Sequence, residues 1–169
     1  SDICDLTLTS RDKNQEYPVP MAGVPVVAYK NALKKCLNAG FKVAVCDQIE
    51  DPKFVKGIVK REITRIATPA VPGDLEDQST STEQVFGCYL ASVIHIKNFY
   101  TFAYIDVSTG EFRLTSYLNQ SELLQEISTI KPKEILVQGV REKEIKDLLD
   151  SAFYQSSEKR INLTKIDAW

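Results

Sequence analysis

One histidine, His95, and four cysteines with no C-x-x-C spacing leave this chain without a metal-ligand pattern. Structural zinc needs clustered thiolates and imidazoles, so Cys4, Cys36, Cys46 and Cys88 read as reduced, buried thiols, the last three within apolar runs. The seven glycines include no G-x-x-x-x-G-K-[ST], so this stretch is not expected to cradle a nucleotide. No apolar run approaches the roughly 20 residues of a membrane span, and no basic-then-apolar leader opens the sequence, so a soluble cytoplasmic protein is expected, with no membrane partner. A charge excess is missing too. The net charge is -2, and a nucleic-acid role would need a local basic patch. No initiator methionine stands before Ser1, which fits a piece of a longer protein.

What is present is ordinary globular composition, 43% apolar and 26% charged over 169 residues, enough for one large or two small cores. The most informative stretch is PMAGVPVVAYKNALKKCLNAGFKVAVCDQIEDP, from Pro20 to Pro52. Tyr29, Leu33, Cys36 and Leu37 recur at helical spacing, so residues 26–39 read as an amphipathic helix. Gly40 supplies its left-handed stop, and Lys34 and Lys35 suit its negative end. Val43 to Cys46 reads as a strand buried on both faces. Upstream, the near-alternation of Ile3, Leu6 and Leu8 predicts a strand over residues 3–9, and Pro18-Val19-Pro20 an extended approach. Downstream, β-branched residues favour a strand over 58–68, although Val59, Ile63 and Ile66 also fit helical spacing. Residues 69–82, PAVPGDLEDQSTST, read as a linker.

Beyond it come three β-rich runs, 85–96, 99–107 and 111–117, joined by turns short enough for hairpins. A helix follows, marked by Leu123, Leu124, Ile127 and Ile130, with Asn119 as N-cap, Glu122 completing a capping box and Pro132 beyond its end. A strand at 134–137, a helix near 141–150 and a strand at 160–163 complete the order βββαβαβ, a mixed sheet with helical crossovers.

PMAGVP, a helix, then VAVCDQIEDP, KG and a Thr-Pro closing a strand resemble the end of the mismatch-binding domain of the MutS family of DNA mismatch-repair proteins. GCYLASV with AYIDVSTGEF is similar to the connector domain of the same family. Two positions depart from the family pattern: Val27 stands near a usual histidine, and Thr68-Pro69-Ala70-Val71 replaces TPGT. The resemblance implies an α/β chain with mixed sheets: a truncated mixed-sheet N-terminal domain over 1–68, a linker over 69–82 and a ribonuclease H-like connector domain over 83–169. It further implies a parent that binds mispaired or unpaired bases in duplex DNA as a homodimer and uses ATP and magnesium in a distant domain. A repair partner such as MutL would meet the connector. This piece would hold no cofactor.

Several residues could carry chemistry. Lys53, Lys56, Lys60, Arg61 and Arg65 are opposed within their segment by Glu62 alone, so they could neutralise phosphates or simply form a solvated strand face. The resemblance favours the DNA backbone, with Arg65 first. Met21, Ala22 and Gly23 offer a small backbone and one soft apolar side chain, suited to a groove edge or to a turn packed under the helix; the resemblance favours DNA. Asp106 and Glu111 flank a Ser-Thr-Gly turn, which raises a metal-dependent nuclease as the alternative. Glu122 and Glu126 would have to turn inward to help them, from a helix whose inner face is already apolar. Asp106 then reads as a turn acceptor, and His95 as a half-buried strand residue. A purely structural or protein-interaction module is the other alternative. In the family a Phe-x-Glu motif wedges into the mispair. None of the seven phenylalanines here has glutamate two residues on.

Overall fold

The computed structural model describes residues 2–11, 16–73, 88–153 and 161–167. The chain divides into two compact units, Ser1–Gln78 and Ser79–Trp169.

The first unit opens on a single 3-10 turn, Asp2–Cys4, followed by Asp5 with φ +52°. The expected strand at 3–9 is therefore not formed. Apolar alternation makes a strand only when a neighbour accepts its backbone, and pairing starts later: β1 (Thr9–Arg11) runs antiparallel to β2 (Val19–Met21). Ile3 and Leu8 remain exposed. A 3-10 turn over Val26–Ala28 leads into α1 (Tyr29–Asn38), so the helix begins three residues after its expected start. Val26 and Val27 are almost fully exposed, and without packing two β-branched residues after Pro25 gain little from a helical turn. The far end is as expected: Gly40 takes φ +88° and donates to the Leu37 carbonyl.

β3 (Val43–Gln48) and β4 (Arg61–Ala67) form an antiparallel pair of their own. β3 is not buried on both faces. Val43 and Val45 are half-buried, whereas Ala44 and Cys46 are exposed, because α1 packs on one side of a two-stranded sheet. The core here is Leu33, Leu37 and Ala67, flanked by Tyr29 and Val43. β4 starts three residues late, with Ile58 left 94% exposed in the approach loop. Past β4, residues read as linker continue the unit: Thr68 and Val71 exchange backbone hydrogen bonds and Ala70 is fully buried. Residues 74–82 of that expected linker lie outside the described residues.

In the second unit β5 (Tyr89–Ile96), β6 (Phe99–Asp106) and β7 (Phe112–Tyr117) form the expected antiparallel meander. The expected start of β5 at Val85 lies outside the described residues. α2 (Gln120–Ile130), β8 (Glu134–Gln138), α3 (Glu142–Phe153) and β9 (Asn162–Ile166) follow. Crossing back through helices, β8 pairs parallel to β5 and β9 parallel to β8, giving the sheet order β7-β6-β5-β8-β9, a ribonuclease H-like mixed sheet. One face, carrying Ala91, Val93, Phe102, Tyr104, Ile135 and Val137, is buried by Leu123 and Ile127 of α2 and by Ile145, Leu148 and Leu149 of α3. Asn119 stands at the N-cap of α2 with extended backbone angles, but its side chain donates to Glu122 Oε1 at 3.1 Å and makes no bond to the helix backbone. Neither side-chain-to-backbone bond of the expected capping box is formed; the two side chains bond each other instead.

Candidate nucleic-acid interface

The basic segment sits on β4 and the loop before it, and a β-bulge decides where each side chain points. Val45 pairs with Arg65 but Cys46 pairs with Ile63, so Thr64 is the extra residue. Its hydroxyl donates to Asp47 Oδ2 at 2.5 Å, with the Val45 carbonyl oxygen 3.4 Å away. On either side of the bulge the cross-strand pairs sort by face. Val43 with Ala67 and Val45 with Arg65 turn toward α1; Ala44 with Ile66, Cys46 with Ile63 and Gln48 with Arg61 turn outward and are all exposed.

Arg65 is accordingly half-buried, and its guanidinium donates to the Tyr29 hydroxyl at 3.2 Å. It joins β4 to the first turn of α1. Tyr29 was read from its spacing only as a core residue; its hydroxyl is 36 residues from Arg65, beyond any local pattern. Arg61 is exposed at the start of β4. Lys60, also exposed, pairs through its ammonium with Glu62 at 2.5 Å, and its backbone N–H donates to Glu50 Oε2 at 2.9 Å. Lys53 and Lys56 are exposed in the loop, where the Lys53 N–H donates to Asp51 Oδ1 at 2.9 Å. The linear reading counted Glu62 as the single opposing acid; folding adds Asp47, Glu50 and Asp51 from β3 and its loop. Local positive charge is therefore weaker than the run implies, and Arg61, Lys53 and Lys56 are its outward-facing part.

Met21 ends β2 and is 44% exposed; Ala22 and Gly23 follow, also exposed. A Cβ placed on Gly23 would meet nothing within 4 Å, so the protein's own packing does not demand glycine there. That open backbone could admit an outside group. Met21 to Gly23 and the basic segment lie on different two-stranded sheets.

The cysteines are less buried than expected. Cys88 is buried, Cys4 and Cys36 are half-buried and Cys46 is exposed on the outer face of the β3–β4 pair. In the second unit Asp106 behaves as the turn acceptor expected: its Oδ1 receives the Ser108 N–H at 2.9 Å and the Ser108 hydroxyl at 2.6 Å. Those bonds, the hydroxyl's first, hold its carboxyl below the usual range. Glu111 instead pairs with Arg113 at 2.6 Å. Glu122 is exposed and occupied by Asn119. His95 is half-buried, stacked on Tyr100 with ring centroids 4.1 Å apart, and its Nδ1 lies 2.5 Å from Glu144 Oε1. Among the described residues, no group of three His, Cys, Asp or Glu side chains converges as a metal site, and no helix is long and apolar enough to cross a membrane.

Residues 1–76 match the family model for MutS domain I, and residues 88–166 that for MutS domain II. The chain is 42% identical over 146 residues to the DNA mismatch repair protein MutS of Staphylococcus epidermidis, an alignment covering 86% of this chain and 16% of that protein. To the protein of the same name from Staphylococcus haemolyticus it is 39% identical over 158 residues, 94% of this chain and 17% of the relative. To that of Leuconostoc citreum it is 40% identical over 135 residues, 80% of this chain and 15% of the relative. The aligned chain thus spans 15% to 17% of the length of these relatives.

Proposed function

Because the chain belongs to the MutS family of DNA mismatch-repair proteins, with its two units matching domains I and II, we propose that it serves within a longer protein that recognises mispaired or unpaired bases in duplex DNA. The first unit supplies backbone and groove contacts; the second is the connector. The observation that carries this reading is the outward placement of Arg61, Lys53 and Lys56; the exposed, open backbone of Met21, Ala22 and Gly23, in another part of the same unit, supports it. Lys60 joins them once Glu62 releases it. Arg65 also fixes β4 on α1, through the bond from one of its guanidinium nitrogens to the Tyr29 hydroxyl. The longer protein works as a homodimer, draws on ATP and magnesium in another domain, meets a MutL-type partner through the connector and acts in the cytoplasm.

Mismatch discrimination is not a property of this stretch alone. Kinking a duplex costs a few kcal/mol per unstacked step, and a wedging side chain must offset that cost. The chain has no Phe-x-Glu to do so. Titrating the 169-residue chain at fixed low salt against a matched duplex, and against the same duplex with a G·T mispair or one unpaired thymidine, should give equal, weak binding. A tenfold preference for either lesion, about 1.4 kcal/mol, would overturn this assignment of roles. In the same assay Arg61→Gln should weaken binding to all three duplexes and lower the salt slope by about one.

A further inference from the structure

The two half-buried cysteines of the first unit meet. Cys4, in the opening 3-10 turn, and Cys36, in the third turn of α1, place their Sγ atoms 3.3 Å apart although 32 positions separate them in sequence. Neither is otherwise strongly engaged: Cys4 Sγ lies at 3.5 Å from the Ala32 carbonyl oxygen, a weak donor contact. A second contact holds the same two segments in register, since Lys35 Nζ pairs with Asp5 Oδ2 at 2.5 Å and reaches the Cys4 carbonyl at 3.5 Å. A disulfide needs its sulfurs at about 2.05 Å, so closure asks for an approach of roughly 1.3 Å, within reach of small side-chain rotations.

We propose that Cys4 and Cys36 are an oxidisable dithiol, a modification site at which a low-molecular-weight disulfide such as oxidised glutathione links the opening turn covalently to α1. One thiolate attacks a sulfur of the oxidant, whose S–S bond breaks and releases a first thiolate. The second cysteine then attacks the protein-bound sulfur and expels the other half. Two protein thiols lose two electrons and two protons, and two molecules of reduced glutathione are formed. Burial, and after it the hydrogen bond with Cys4, push the Cys36 thiol up, so attack on the oxidant begins at Cys4. Cys46 has no such neighbour within the sheet pair and is exposed, so its expected product is a mixed disulfide; Cys88 is buried in the other unit. The link joins the opening turn to the C-terminal part of α1, the helix whose Tyr29 holds Arg65.

The reduced 169-residue chain is incubated with excess oxidised glutathione, quenched in acid, alkylated with a maleimide, digested and mapped by mass spectrometry. The expected product is a monomer about 2 Da lighter across the Cys4 and Cys36 peptides, which are joined and unalkylated. Cys46→Ser should form the same link, and reduction with dithiothreitol should restore both alkylation sites. Cys4 and Cys36 both alkylated while Cys46 carries glutathione, or either held as a stable mixed disulfide, or a Cys4–Cys46 link, would overturn the proposal.

Discussion

Arg65 and Gly73 lock one another, although nothing in the linear sequence joins them. Gly73 adopts φ +69°, a conformation other residues take only with strain, and a Cβ there would come within 3.3 Å of Arg65 Cδ. Gly73→Ala therefore meets two costs at once: left-handed strain of about 1–2 kcal/mol, and displacement of the aliphatic stem that aims the guanidinium at Tyr29. We expect the variant to lower the stability of the first unit by about 1–2 kcal/mol, read from its urea midpoint. Tyr29→Phe removes only the acceptor and should cost about 1 kcal/mol. If the lock is real the two changes are not additive, because the first already disturbs what the second removes. A Gly73→Ala chain as stable as the parent would show that the close approach is absent.

The elements carry their own predictions, and they show which parts of the structure a reader of the sequence could see. The β5–β6 hairpin turns through Lys97 and Asn98, and Lys97 has φ +55° where a primed turn favours glycine. Lys97→Gly should raise stability by about 0.5 kcal/mol; a loss measured in thermal melts would mean the lysine side chain holds the turn. α3 is tied to the end of β5 by Glu144, which meets both His95 and Arg141. The His95 hydrogen bond, chiefly, keeps the Glu144 carboxyl below its ordinary 4.5, against the opposing effect of partial burial. A depressed carboxyl stabilises fully above its ordinary value and loses that contribution as pH falls through its lower folded value. The melting difference between the chain and Glu144→Gln should thus be present at pH 6 and close as the pH falls through and below the ordinary 4.5; a constant difference would assign the effect to packing. The apolar stripe of α1, its glycine stop and the meander turns were legible because they are local periodicities. The 3-10 turn at Asp2–Cys4 was not, because strand formation depends on a partner that no alternation reveals. Nor was the exposure of Cys46, since an apolar run does not say whether a second layer covers it. At the site, Lys60, Arg61 and Met21 are exposed, while the acids around the basic run and the Tyr29 partner of Arg65 come from pairings across the fold that no local pattern reveals.

At the scale of the whole molecule the two units differ most in how much each buries. The second packs five strands against two helices around Phe102, Leu123, Ile127, Ile135, Val137 and Ile145, all at most 1% exposed. Among the described residues the first gathers its buried cluster from Leu33, Leu37 and Ala67, and its outer sheet face leaves Ile63 and Ile66 at 63% and 62% exposed. Hydrophobic stabilisation grows with apolar area removed from water, about 25 cal/mol per Å², while the entropy of ordering grows with the number of residues fixed. The first unit orders a comparable length of chain around the smaller cluster, so it should open first and without dragging the second with it. The four cysteines report this by position. In the reduced chain Cys46 should react with a thiol reagent before any urea is added and half-buried Cys4 more slowly, Cys36 should become fully reactive as the first unit opens, and Cys88, 3% exposed, only when the five-stranded sheet is lost. Pulse labelling along a urea series, read peptide by peptide, should resolve two midpoints in that order. One shared midpoint for Cys36 and Cys88 would mean that the two units unfold as a single cooperative body.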